Sequence, residues 1–314
     1  MILKVNSKSI CPPILFLVFN RPETTAIVFN VIREAKPSRL YVASDGPRED
    51  RENESVLVDA VRKISTTVDW PCEVMTLFRD NNLGCKQAVS GAISWFFDHE
   101  QEGIVLEDDC VPHPDFFSYC GILLERYRDD DRIGFISGTS LCDIRSQGFA
   151  WAEEDYVYSR YPSVWGWASW RRVWNDYDAS ISDWKDRRDD ITALTHHPKL
   201  SLINASLFDR VFEGKIDTWD YQVSFMLWIT SRLAIVPRFN LVENIGFGPE
   251  ATHTKIAKHS LSNLSKMHSS RLVTQLQAPT CMIPNYAYQR YIETLATRPF
   301  WNRLLEKIRH HVAY

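Results

Sequence analysis

The sequence lacks a long hydrophobic run. Its early apolar run, residues 14–19, is much shorter than the roughly 18–20 apolar residues that a membrane-spanning helix needs. The run is also too short for the core of a secretion signal, and it is typical of a buried strand. We therefore expect a cytoplasmic protein, or one that lies at the inner face of the plasma membrane.

Two further absences narrow the class of protein. Cysteine occurs 7 times, an odd number, at scattered positions with no CxxC pair. This pattern argues against a disulfide framework or a zinc knot and favours free thiols in a reducing compartment. Strong positive charge is also missing, because the formal net charge is -4. A general nucleic-acid-binding protein is therefore not expected.

The glycine-rich motifs that bind cofactor phosphates are missing too. Neither GxGxxG nor GxxxxGKS/T occurs in the chain. The sequence therefore supports neither a nicotinamide-dinucleotide site nor a P-loop.

What the sequence does contain is a regular alternation of strands and helices. Among 314 residues, of which 45% are hydrophobic and 24% charged, apolar strand-like runs alternate with helix-like segments over the first half of the chain. This alternation predicts an α/β fold of the Rossmann-like kind, with a mostly parallel sheet flanked by helices. Ligands bind such sheets beyond the carboxyl ends of the strands.

The stretch GIVLEDDCVPHPDFF, residues 103–117, ends an apolar strand on three adjacent acids, Glu107, Asp108 and Asp109. Neighbouring carboxylates need protons or cations close by. Mg²⁺ and Mn²⁺ prefer carboxylate, water and phosphate oxygens, so the triplet predicts a divalent metal that neutralises a diphosphate. The structural alternative is a solvated acidic turn, or acids that complement the dipole of the next helix.

Asp45, in YVASDGPRED, ends another predicted strand. A carboxylate at this place can bind the base or ribose of a nucleotide. The alternative is that Asp45 only forms an Asx turn before Gly46 and Pro47.

Together these segments resemble the GT-A fold of nucleotide-sugar glycosyltransferases. VLEDDCVPHPDFFSYC is similar to the metal-binding segment of N-acetylglucosaminyltransferase I and its relatives, glycosyltransferase family 13, and related bacterial glycosyltransferases are similar as well. In that family an E-D-D triplet follows a strand, and a proline–aspartate–two-phenylalanine segment begins the next helix. FNRPE, SDG and TWDYQ resemble other family segments in the same order, and the resemblance covers roughly residues 12–250.

The resemblance implies a role for each matching residue. Arg21 would contact the nucleotide-sugar, and Asp45 would lie near the uridine. Asp109 would coordinate Mn²⁺ or Mg²⁺, and Asp108 would face the hydroxyls of the donor sugar. Asp220 would be the catalytic base.

Asp217 is a second candidate for the base, because a helix would place it on the same face as Asp220. The structural alternative is that both acids only begin a helix, where they suit its dipole. The family's uridine-contacting histidine has no counterpart in NNLGCKQAV, where Cys85 and Lys86 stand near its place and Lys86 is positioned to reach a phosphate.

Three further features carry predictions. His253, in a glycine-containing loop, is a candidate contact for the donor through metal or phosphate, or else a surface or structural histidine. Trp165 and Trp167, in a tryptophan-rich block, are candidates for stacking on an acceptor sugar, with core packing as the alternative. Residues 298–314 predict an amphipathic helix that lies on an anionic membrane surface or docks on protein.

We therefore predict a GT-A catalytic domain over residues 10–255 and a C-terminal extension over residues 256–314. Within the domain, residues 10–140 would bind the nucleotide-sugar and residues 141–255 the acceptor. The expected reaction is metal-dependent, inverting transfer of a sugar, which the resemblance suggests is N-acetylglucosamine. It would pass from a UDP-sugar or similar donor to a glycan or lipid-linked acceptor in polysaccharide biosynthesis. A nucleotidyltransferase and a non-catalytic sugar- or nucleotide-binding module are the alternatives.

Overall fold

A computed structural model describes the chain over residues 2–4, 11–141, 154–246 and 275–297. His253 and residues 298–314, which carry the predicted donor contact and the predicted amphipathic helix, lie outside the described residues. Within the described ranges, no helix is both long enough and apolar enough to cross a bilayer.

Helices and strands alternate over the first half of the described chain, whereas runs of strands and runs of helices follow in the second half. The strands are β1 (Ile2–Lys4), β2 (Ile14–Val18), β3 (Arg39–Ser44), β4 (Glu73–Phe78), β5 (Glu102–Glu107), β6 (Cys110–Pro112), β7 (Ile133–Ser137), β8 (Tyr156–Ser159), β9 (Trp167–Trp170), β10 (Leu233–Pro237), β11 (Val242–Asn244) and β12 (Gln275–Gln277). The helices are α1 (Pro22–Ala35), α2 (Glu54–Thr66), α3 (Gly84–His99), α4 (Pro114–Arg126), α5 (Arg171–Trp174), α6 (Trp184–Ala193), α7 (Pro198–Phe212), α8 (Asp220–Ile229) and α9 (Tyr286–Ala296).

A central sheet of 8 strands runs in the order β4-β3-β2-β5-β9-β7-β10-β8. Strands β4, β3, β2 and β5 are parallel, as are β7 and β10, whereas β9 and β8 are antiparallel to their neighbours. The predicted α/β fold, a mostly parallel Rossmann-like sheet flanked by helices, is therefore confirmed. Both predicted halves of the catalytic domain contribute strands to this one sheet.

The first elements form where the local pattern predicts them. Strand β2 is buried along its whole length, as expected for a strand covered on both faces. Pro22 and Pro114 begin α1 and α4, where the missing proline N–H would have had no intrahelical partner. Phe116 and Phe117 of α4 are buried in the core, so the helix that follows the acidic triplet is firmly anchored.

The antiparallel strands are the main departure from the predicted fold. WASW, part of the tryptophan-rich block, forms β9 and lies between β5 and β7. All four residues of β9 are buried, so its pattern does not alternate between polar and apolar. Since a short apolar run fits a strand or a buried helix equally well, only its pairing with β5 and β7 decides the assignment.

Parallel pairing brings the predicted site residues to one edge of the sheet. Val18 of β2 pairs with Ser44 of β3, and Leu17 of β2 pairs with Glu107 of β5. Arg21, Asp45 and the end of the acidic triplet therefore follow three adjacent strands at their carboxyl ends.

Two short sheets add to this frame. β11 pairs antiparallel with β6, so that Asn244 lies opposite Cys110, directly after the acidic triplet. The other small sheet joins β1 to β12. Helix α9 packs on the edge strand β8, where the Gln289 side-chain oxygen accepts hydrogen bonds from Ser159 Oγ at 3.1 Å and Arg160 N at 3.0 Å. The described part of the predicted C-terminal extension is thus packed against the central sheet.

Candidate active site

Arg21 binds two members of the acidic triplet. Its Nη1 donates to Asp109 Oδ2 at 2.8 Å, and its Nε and Nη2 face the two oxygens of Asp108. The Arg21 backbone carbonyl accepts a hydrogen bond from Thr25 Oγ1 at 2.7 Å, which ties the Arg21 backbone to the first turn of α1. The structure therefore brings together the predicted donor contact and the predicted metal ligand.

One guanidinium does not neutralise three neighbouring carboxylates. Burial raises the pKa of Glu107 to about 8, and the charges of Asp109 and Asp108 add to that rise. Burial also raises the pKa of Asp108 to about 6, although Arg21 acts in the opposite direction. For both groups burial is the largest cause of the raised pKa, and the single positive charge of Arg21 does not offset burial and carboxylate repulsion together.

The carboxylate oxygens of the triplet suit a metal ion that is also bound by a phosphate ligand. Over the residues that the structure describes, no group of three or more His, Cys, Asp or Glu side chains is placed to hold a metal ion. Mg²⁺ is commonly held by one or two carboxylates together with substrate phosphates, and such a site needs no protein cage. Asp109 is the more accessible acid, with 14% of its side chain exposed against 3% for Asp108. Asp109 therefore remains the candidate metal ligand, and its contact with a metal stays a prediction.

The residues directly after β11 pack against Asp109. Ile245 N donates to the Asp109 carbonyl at 2.9 Å, and Gly246 N donates to Asn244 Oδ1 at 2.9 Å. A Cβ on Gly246 would lie 2.7 Å from Asp109 Cγ, so only glycine fits there without displacing the carboxylate. Gly246 was not among the predicted site residues, because no local sequence pattern predicts this long-range contact.

Asp45 accepts hydrogen bonds from the start of α3. Leu83 N donates to both of its carboxylate oxygens, at 3.1 and 3.0 Å, and Gly84 N donates to Oδ2 at 3.2 Å. Burial raises the pKa of Asp45, while these backbone hydrogen bonds oppose the rise. Asp45 thus joins two loops at the sheet edge, and its contact with uridine stays a prediction.

A second buried acid, Glu54, fixes the loop that follows Asp45. Its carboxylate accepts hydrogen bonds from Asn20 Nδ2 at 2.9 Å and from Arg48 N at 2.7 Å, and it also pairs with the Arg48 guanidinium. Although burial opposes it, hydrogen bonds from Arg48 and Asn20 lower the pKa of Glu54. Sequence reasoning missed Glu54, since an acid in the first turn of a helix is ordinarily a surface residue.

Asp217 and Asp220 have different hydrogen-bond partners. Helix α8 begins at Asp220, so Asp217 precedes the helix and the predicted common helical face is wrong. The Asp217 carboxylate instead accepts hydrogen bonds from Cys85 N and Lys86 N, each at 3.0 Å. Lys86 is half-buried in the first turn of α3, and its contact with a phosphate stays a prediction.

Asp220 lies near the acidic cluster and is half-buried at the start of α8. Its charge contributes to the raised pKa of Glu107, after burial and the larger effects of Asp109 and Asp108. Thr218 Oγ1 donates a hydrogen bond to Asp220 Oδ1. The adjacent Trp219 carbonyl accepts a hydrogen bond from Tyr177 OH at 3.1 Å. The predicted base therefore faces the same region as the acidic triplet.

The two tryptophans predicted to bind an acceptor differ in exposure. Trp167 is only 1% exposed, and its ring stacks with Phe135 at 4.7 Å and with Trp219 at 5.9 Å between ring centroids. Its indole is thus part of the core and cannot present a face to a sugar, which corrects that prediction. Trp165 is half-buried in the loop before β9 and remains the candidate.

Comparison with known proteins adds no assignment. The sequence matches no family of known proteins and no curated protein. HddC from Yersinia pseudotuberculosis is 12% identical, with a TM-score of 0.30 over 53% of this chain and 80% of that one. UDP-glucose pyrophosphorylase with UDP-glucose is 12% identical, with a TM-score of 0.32 over 52% and 78% of the two chains. An apo UDP-glucose pyrophosphorylase is 11% identical, with a TM-score of 0.34 over 71% and 90%. At these scores the likeness assigns neither a family nor an activity to the chain.

Proposed function

We propose that the protein is a glycosyltransferase that takes a sugar from a nucleotide-diphosphate donor. The observation that carries the proposal is the meeting of Arg21, Asp45 and Asp109 at the carboxyl edge of a parallel sheet, where ligands of such sheets bind. Asp220 acts electrostatically on the same acidic cluster. Arg21 supplies a positive charge, Asp220 is a half-buried acid, and Arg21 alone does not neutralise the acidic triplet. These groups suit a diphosphate that arrives with a divalent cation.

The donor would lie across this edge. Arg21 and Lys86 would contact its phosphates, and Asp45 would face the uridine. Asp109 would hold Mn²⁺ or Mg²⁺ together with the diphosphate, and the metal would supply Lewis-acid stabilisation of the leaving group, typically worth several kcal/mol. Asp108, which already orients Arg21, would contact the sugar hydroxyls. UDP-N-acetylglucosamine is the first donor to test.

The transfer step requires a base on the acceptor side. Asp220 would take the proton from an acceptor hydroxyl while that oxygen bonds to the anomeric carbon, and the bond from this carbon to the diphosphate would break. Attack from the side opposite the leaving group inverts the anomeric configuration. General-base catalysis of this kind typically contributes about 10²–10⁴-fold. Trp165 would pack against the acceptor, a glycan or lipid-linked glycan of polysaccharide biosynthesis.

The test is an assay of sugar transfer and donor hydrolysis with a panel of nucleotide-sugars, with Mn²⁺ and with chelator. We expect Asp220→Asn to lose about 10²–10⁴-fold in kcat while the Kd for the nucleotide changes little. Asp59→Asn, on the exposed face of α2, serves as the matched control for removing one carboxylate. Near-normal turnover by Asp220→Asn would rule out its role as the base.

The same assay separates the alternatives. A nucleotidyltransferase would consume a nucleoside triphosphate and a sugar phosphate and release pyrophosphate. The connection from β2 to α1, Phe-Asn-Arg at residues 19–21, contains no glycine and so offers no glycine-rich phosphate loop. A binding module would bind nucleotide-sugars without turnover. Metal-dependent release of UDP without pyrophosphate would support the transferase.

A further inference from the structure

We infer that Asp217 is a positioning residue, which ties the segment carrying Asp220 to the N-terminus of α3. The inference rests on the proposed role of Asp220 as the base. Because the Asp217 carboxylate contacts backbone amides of α3, we do not assign it the role of a second base.

The start of α3 depends on side chains from elsewhere in the chain. The first amide groups of any helix have no intrahelical acceptors. The residue before the helix, Leu83, has no side-chain oxygen and makes no cap hydrogen bond. Asp45 accepts from the amides of Leu83 and Gly84, and Asp217 accepts from those of Cys85 and Lys86. Two carboxylates thus take up four successive amides.

The two carboxylates belong to the two predicted halves of the catalytic domain. Asp45 follows β3 on the side predicted to bind the nucleotide. Asp217 belongs to the connection between α7 and α8, more than 130 residues beyond its partners in α3, on the side predicted to bind the acceptor. The start of α3 is therefore a junction between the donor side and the segment that holds the base.

Gly84 makes this junction possible. Its φ is +80°, a left-handed conformation that favours glycine, and a Cβ on Gly84 would lie 2.9 Å from Asp217 Oδ2. A side chain at this position would push the Asp217 carboxylate away from the amides of Cys85 and Lys86. The contact thus requires an acceptor oxygen on residue 217 and a glycine at position 84.

The position of Asp220 depends on this contact. Only Thr218 and Trp219 separate the two acids, so a displaced Asp217 leaves the start of α8 less constrained. A shift of about 1 Å in a catalytic group can cost about 10²-fold in rate. Asp217 therefore influences catalysis by holding Asp220 in place, and it does not itself accept the proton.

The test replaces Asp217 with residues that can cap a helix but cannot act as a base near neutral pH. Asn and Ser oxygens accept hydrogen bonds from backbone amides, whereas Ala has no such oxygen. We expect Asp217→Asn and Asp217→Ser to keep kcat within a few fold of wild type. We expect Asp217→Ala to lose about 10-fold or more in kcat with little change in donor KM, and Asp220→Asn and Asp220→Ser both to lose about 10²–10⁴-fold.

Hydrogen exchange supplies a readout that is independent of turnover. Asp217→Ala should speed exchange of both the Cys85 and the Lys86 amides and lower the midpoint of thermal unfolding by roughly 2–4 °C. Asp217→Asn keeps one acceptor oxygen in place of two, so it should speed exchange less and lower the midpoint less. Asp217→Asn and Asp217→Ser variants as inactive as Asp217→Ala would overturn the inference, and so would a fully active Asp217→Ala with unchanged exchange. If the wild type transfers no sugar, the proposed function fails, while the exchange measurement still decides the contact.

Discussion

Substituting Gly246 by alanine tests whether the segment after β11 sets the position of Asp109. Gly246 lies outside the left-handed region of φ, so its backbone conformation is open to alanine. The new methyl group would lie 2.7 Å from Asp109 Cγ and 3.0 Å from its Cβ, and it would overlap Oδ2. The cost of the substitution therefore comes from Asp109.

The size of the effect follows from the same distances. Carbon atoms ordinarily pack about 3.5–4.0 Å apart, so a contact of 2.7 Å requires a shift of about 1 Å. Hydrogen bonds from Ile245 and to Asn244 hold the loop, so the Asp109 carboxylate has to move away from Arg21. We expect a loss of about 10²-fold in kcat/KM and about 1–3 kcal/mol of stability.

The assay measures kcat/KM for the donor against Mn²⁺ concentration, together with denaturant unfolding. In an Asp109→Ala background, Gly246→Ala should cost less stability, because Cγ and Oδ2 are gone and only the 3.0 Å contact with Cβ remains. Gly91→Ala is the matched control, since a Cβ there meets only the end of the Arg79 side chain, at 3.1 Å, within a helix that favours alanine. Wild-type kcat/KM, metal dependence and stability in Gly246→Ala would refute the reasoning.

Two further predictions concern the core and the acidic cluster. Trp167→Ala should cost about 3–5 kcal/mol of unfolding free energy because its ring is buried, whereas Trp165→Ala should mainly raise the acceptor KM. Denaturant unfolding measures the first effect and acceptor titration measures the second. The opposite pattern would contradict the assignment. The pKa of Glu107 rises on folding from 4.5 to about 8, so the folded state holds a proton that the unfolded chain releases. Its contribution to stability is therefore complete below pH 4.5 and is lost as pH rises through about 8. Relative to Glu107→Gln, the wild type should lose stability over this interval in unfolding measured at several pH values, and parallel profiles would disprove this.

The sequence determined the elements that depend on neighbours along the chain. Strand β2 and helices α1 and α4 have local signals of burial pattern, period and an initial proline, and the structure has each of them at the predicted place. Because parallel strands place their carboxyl ends together, the pairing of β2 with β5 also places Arg21 near the acidic triplet.

Only the tertiary structure decided what each acid and each aromatic ring contacts. Spacing along the chain put Asp217 beside Asp220 on one helix face, but the helix begins at Asp220 and Asp217 instead binds amides of α3. Trp165 and Trp167 carry the same local signal, yet one ring is half-buried in a loop and the other lies in the core. Gly246 has no signal at all until it packs against Asp109. Hydrophobic periodicity reports which face of an element is buried. The contacts of Asp217 and Gly246 join residues more than a hundred positions apart, and only the folded chain brings them together.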